Sequence, residues 1–128
     1  MEFFVDNIEE LTLKNENFRK VLNTASNSQL VVMTLKPGED IGMEVHHDID
    51  QFIRIEEGSG KAVLNGQEYE IEDDFAVVIP AGTEHNIVNT SETEKMKLYT
   101  IYSPPEHPEG TVHITREEAI EAEKNHHH

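Results

Sequence analysis

Between Gly38 and Gly58 the chain reads GEDIGMEVHHDIDQFIRIEEG. This run holds the densest group of metal-capable side chains ahead of the C-terminal tail: Glu44, His46, His47, Asp48, Asp50 and Gln51. The residues before Asp48 alternate as a strand does, and so do those from Phe52 on. Asp48, Ile49 and Asp50 between them read as a turn. The expectation is a hairpin whose two antiparallel strands converge their ligand side chains on one point. A second run, Asp74 to Asn89 (DFAVVIPAGTEHNIVN), adds His85 at the start of another strand.

Outward from these two runs the text stays strand-like. FRKVLNT and QLVVMTLKP are short runs separated by Ala25–Ser28, and Pro37-Gly38 stops the second. Asn65-Gly66, flanked by alternating residues, is the clearest local signal, because a type I′ hairpin needs two positive φ angles. FAVVIP ends at Pro80, and KMKLYTIYS ends at Ser103-Pro104-Pro105. Met1 to Asn17 is too irregular for a helix and reads as an ordered arm with at most one short strand. The segment after Ser103 reads as an extended surface tail, followed by a short helix with Thr115 and Glu118 as a capping box. About nine short strands with tight turns and no long helix predict a sandwich or small barrel.

Composition bounds the function. The 128 residues suit one domain. A net charge of −16 repels nucleic acid and anionic membrane surfaces. With no cysteine, a metal site must use oxygen and imidazole nitrogen. No basic-then-apolar leader opens the chain and no apolar run is long enough to span a bilayer, so a cytoplasmic protein is expected. His126, His127 and His128 read as the remains of a purification tag. Five histidines remain, three of them in the two runs above.

The two runs together resemble the cupin superfamily, and specifically its small single-domain members. The family's first motif is Gly, five residues, His, one residue, His, three or four residues, Glu, six residues, Gly. Here Gly38 is followed by five residues, then Glu44, Val45, His46, four residues, Gln51, six residues and Gly58. The second motif is Gly, five residues, Pro, any, Gly, two residues, His, three residues, Asn. Here Asp74 takes the place of its leading Gly, and Pro80, Gly82, His85 and Asn89 follow in register. The resemblance covers roughly Val31 to Ser103. It implies an all-β fold, a jelly-roll (double-stranded β-helix) barrel with a short C-terminal helix. The implied division is an arm at 1–17, the barrel at 18–103, a tail and helix at 104–125, and the tag at 126–128.

The resemblance also implies a metal set. By position it is Glu44, His46, Gln51 and His85, with Glu in place of the first family His and Gln in place of the family Glu. Two His and one carboxylate remain, the composition of non-haem iron(II) sites. The implied cofactor is a divalent ion: Fe2+, Mn2+, Zn2+ or Ni2+. Glu44 is also the candidate catalytic base. His47 falls on the opposite strand face and reads as a surface residue, unless a bulge makes it the ligand in place of His46. Asn89 reads as a turn-holding residue, Arg54 as an exterior partner of Glu, and His107 and His113 as solvated. At most one of Tyr99 and Tyr102 faces the interior. The expected function is a metal-dependent enzyme acting on a small oxygen-rich metabolite, of dioxygenase, isomerase or lyase type. The alternative is a non-catalytic module that binds a small molecule or metal; an empty storage cupin ranks third. The expected partners are a small-molecule ligand and a second copy in a homodimer, with no nucleic acid and no membrane.

Overall fold

The computed structural model of the chain describes residues 3–126. Of the expected tag, His127 and His128 lie outside the described residues. The chain order is α1 (Ile8–Lys14), β1 (Arg19–Thr24), β2 (Gln29–Leu35), β3 (Glu44–Val45), β4 (Asp50–Glu57), β5 (Ser59–Leu64), β6 (Gln67–Glu72), β7 (Ala76–Ile79), β8 (Glu84–Asn89), β9 (Met96–Ser103), β10 (Val112–His113) and α2 (Arg116–His126). The strands form a six-stranded sheet, β10-β1-β2-β9-β4-β7, and a four-stranded sheet, β3-β8-β5-β6. Every strand pairing is antiparallel.

The jelly-roll barrel and the all-β class are corrected here. Neither sheet closes: β10 does not pair with β7, nor β3 with β6, so each sheet keeps two edges. Three of those edges are short, β3 and β10 at two residues each and β7 at four, and the fourth, β6, carries the charges of Glu68, Glu70 and Glu72. Two short helices make the fold mixed. The first replaces the expected arm. Asn7 caps α1 by accepting a hydrogen bond from the Glu10 amide at 3.0 Å, with acids in the first turn and Lys14 in the last.

The expected hairpin at the first run is also corrected. β3 pairs with β8 in the small sheet, whereas β4 is flanked by β9 and β7 in the large one. With both its ladders filled, β4 has no edge to offer β3, so the chain from His46 to Ile49 crosses between the sheets. The Asn65-Gly66 turn forms as read, with φ of 49° and 84° joining β5 to β6.

The core lies between the sheets. One apolar cluster draws Val31, Met33, Leu35, Ile53, Ile55 and Leu98 from the large sheet and Ala62, Ile71 and Ile87 from the small one. Strand alternation sets this: on β4, Gln51, Ile53 and Ile55 are buried while their neighbours are not. Lys97 is the exception at the far end, buried but held by the Asn15 carbonyl and by Glu16. Lys95, and after it Lys97, pulls the pKa of the Glu16 carboxyl down to about 2.

Candidate metal centre

The interior of the large sheet changes character along its strands. Register aligns Met33, Leu98 and Ile55 in one row, Val31, Thr100 and Ile53 in the next, and Gln29, Tyr102 and Gln51 in the third. The first row is wholly apolar and the third carries two buried amides and a phenol. The small sheet supplies the other half. Glu44 and His85 stand opposite each other across the β3–β8 pair and so share a face. His46 follows β3 by one residue, and its ring lies 5.2 Å from that of His85 and 6.0 Å from that of Tyr102.

The structure brings Glu44, His46 and His85 together. One ligand atom from each lies within 4.8 Å of the others. Both imidazoles are held at Nδ1. That of His85 lies 2.9 Å from the Thr83 carbonyl oxygen, and that of His46 lies 3.1 Å from Glu106 Oε2. Each Nε2 is thereby left for the interior, the arrangement that fixes a metal-binding tautomer. His46 Nε2 is 2.9 Å from Glu44 Oε2, yet the contact is off-axis and this buried nitrogen has no hydrogen-bond partner. Donors about 2.1 Å from one ion and at right angles to each other lie about 3 Å apart, so this spacing suits a shared divalent ion. Gln51 donates from Nε2 to Thr100 Oγ1 at 3.0 Å, and its Oε1 is buried with no partner. The donor set therefore fits a divalent metal. Without one, Glu106 and then Glu44 hold the imidazolium of His46 and lift its pKa to about 9, against the cost of burial.

The remaining residues of the two runs do other work. His47 and Asp48 are exposed. Asp50 accepts a bond from the Ala81 amide at 2.9 Å, tying the two runs together. Asn89 holds its turn, donating to the carbonyls of Leu35, Lys36 and Glu94. Arg54 pairs on the outside with Glu56 and Asp74. Tyr102 is buried, and Tyr99 packs on Phe52 on the other face. An open groove of about 590 Å³ along Leu22, Thr24 and Gly110 contains none of the cluster.

The tail departs from its expected place. Glu106 reaches His46, and the His107 ring packs edge-on against Tyr102 at 5.2 Å, with its Nε2 buried and unpartnered. Gln29, 1% exposed, clamps this segment: its Oε1 accepts from the Glu106 and His107 amides and its Nε2 donates to the His107 carbonyl at 2.7 Å. His113 is not free either; it contacts Arg19. The available signal was a Glu-His pair set between prolines, in a segment stiff enough to hold a position.

Fold and site together define a two-sheet antiparallel protein with a candidate metal cluster between its sheets. The chain belongs to the cupin family: the cupin domain matches residues 31–102, from β2 to β9. It is 49% identical to YrkC, an uncharacterized protein of Bacillus subtilis, covering 94% of this chain and 67% of that one. It is 46% identical to an uncharacterized protein of Acanthamoeba polyphaga mimivirus, over 90% of this chain and 74% of that one. The crystal structure of BH2720 from Bacillus halodurans is similar at a TM-score of 0.90 and 45% identity, covering 92% of this chain and 93% of that one. No helix among the described residues is long and apolar enough to cross a membrane.

Proposed function

We propose that this cupin binds a divalent metal through Glu44, His46 and His85, with Gln51 Oε1 as a fourth, weaker donor, and acts on a small oxygen-rich metabolite. The observation that carries the reading is the pair of imidazoles held at Nδ1 with both Nε2 atoms left beside a carboxylate. The bound metal would supply Lewis acidity, or dioxygen activation if it is iron. Glu44, half-buried and beside His46, is the group placed to take a proton from a bound ligand. Glu106 is the positioning residue that orients His46, and Gln29 holds Glu106 in place through its backbone.

The test is metal analysis of untagged protein. His46→Ala is expected to lose bound metal, because it leaves one imidazole, one carboxylate and one amide. His47→Ala is expected to keep it. Metal loss that followed His47 would move the ligand by one residue. Loaded protein should then consume oxygen or convert substrate when supplied with small diols and keto acids. Metal binding without turnover would assign the non-catalytic binding module instead.

A further inference from the structure

A metal ion or small molecule held between the sheets has to reach that position. Two donor atoms it would meet, His46 Nε2 and Gln51 Oε1, are sealed from solvent. His85, Gln51 and Tyr102 are buried as whole residues. Part of the wall around the centre must therefore open, and local segments of a folded chain open with smaller free energies than its core.

Most of that wall is strand. β2, β9 and β4 are laddered together, β3 is paired with β8, and the crossing after β3 is held by a bond from the Gly82 amide to the His46 carbonyl at 2.8 Å. Residues 104–108 are different. They follow β9 without joining a strand. Their inner side lies on the site: Glu106 Oε2 is 3.1 Å from His46 Nδ1, and the His107 ring is 5.2 Å from that of Tyr102. Their outer side faces solvent at Pro104, Glu106 and Pro108. Gln29, the cross-strand partner of Tyr102, holds their backbone. It accepts from the amides of Glu106 and His107 at 3.2 and 3.0 Å and donates to the His107 carbonyl at 2.7 Å. One side chain makes all three bonds, so one rotation of it frees the segment, whose polar groups then take water instead.

We propose that residues 104–108 are a strap that gates the candidate metal centre, with Gln29 as its latch. Closed, the strap seats Glu106 on His46 and His107 on Tyr102. Open, it uncovers the row of Gln29, Tyr102 and Gln51 and lets an ion or small molecule in. Helix α2 is the competing cover. Arg116 ties it to Asp40 by two bonds, at 2.8 and 2.7 Å, and Ala119 anchors it in the core. Those anchors lie away from the ligand residues, whereas the strap meets a ligand ring directly. The gate rests on the metal reading; the latch is measurable without metal.

Stopped-flow mixing with zinc, and of zinc-loaded protein with a chromophoric chelator, gives uptake and release rates for the wild type, Gln29→Met, His107→Ala and Arg116→Gln. Gln29→Met removes the three latch bonds, so the open fraction, and both rates with it, should rise by roughly tenfold or more. Because uptake and release rise together, zinc affinity should change less than either. His107→Ala removes the ring seated on Tyr102 and should speed both rates without touching Gln29. Arg116→Gln unties α2 instead and should leave both unchanged. Hydrogen exchange in zinc-free protein reads the latch itself. In Gln29→Met the amides of Glu106 and His107 should speed up by more than that of Leu98 in the β9 ladder; equal acceleration of all three would be global loosening and overturns the latch. Rates unchanged in both strap variants overturn the gate, as does acceleration by Arg116→Gln alone. So does a loss of affinity carried by release with uptake unchanged, which would leave Gln29 a positioning residue only. A wild type that binds no zinc overturns the metal reading and the gate with it, whereas zinc bound at rates the strap does not alter overturns the gate alone.

Discussion

Glu106 acts on the candidate centre through one contact, its carboxylate 3.1 Å from His46 Nδ1. A carboxylate there orients the ring and raises the basicity of Nε2, and such partners are worth roughly 10–100-fold in metal affinity. Glu106→Gln keeps the shape and a hydrogen-bond acceptor but loses the charge. Zinc affinity measured by competition with a chromophoric chelator is expected to fall by roughly tenfold or more, with the zinc stoichiometry unchanged. Equal affinity would mean that Glu106 merely neighbours the ring. The residue-level legibility of the site follows the same division. Glu44 and His85 lie in strands and His46 one residue past the end of β3, all at motif spacing, so they could be read from the chain. Glu106 and His107 could not be placed, because what fixes them is Gln29, 78 residues from His107. No local pattern around Pro104 or Pro108 encodes that clamp.

At the scale of elements, the small sheet depends on Gly60. It pairs with Asn89 across β5–β8, and a Cβ built there would meet the Val88 carbonyl oxygen at 2.0 Å. That oxygen belongs to backbone and cannot swing away. Gly60→Ala is therefore expected to force the two strands apart, at a cost of about 3 kcal/mol or more, seen as a lower midpoint in urea. Gly66→Ala is the control. Nothing lies within 4 Å of its Cβ position, so only its positive φ is strained, at about 1 kcal/mol. The turns were legible for the same reason that Gly66 is needed: a left-handed backbone angle is a local demand with a local signature. Helix α1 was not legible, because its irregular apolar spacing reads as an arm even though Asn7 caps it. Which sheet a strand joins is not local. Glu44 finds His85 rather than the strand that follows it because both edges of β4 are taken by β7 and β9. Closure was misread for a related reason: alternation reports which face is buried, whereas closure depends on whether edge strands meet.

For the whole molecule the open question is assembly. Phe3 is 98% exposed and Val5 93%, while Phe4 between them is half-buried. A second copy would bury these side chains, and a symmetric pair buries two sets at once. The opposing term is charge, since each protomer carries −16. Repulsion between two such bodies is long-ranged at low ionic strength and is cut to a Debye length of about 8 Å at 0.15 M salt, while apolar burial is not screened. A homodimer held by apolar contact should therefore tighten as salt rises. Light scattering at micromolar protein is expected to give the mass of two chains at 0.15 M salt and above, with a shift toward one chain near 0.01 M. Replacing Phe3 and Val5 by Ser should move the wild-type curve toward the monomer at every salt concentration and leave zinc binding alone. A pair that instead dissociated as salt rose would be held by ion pairs, and the exposed apolar residues would have no part in it.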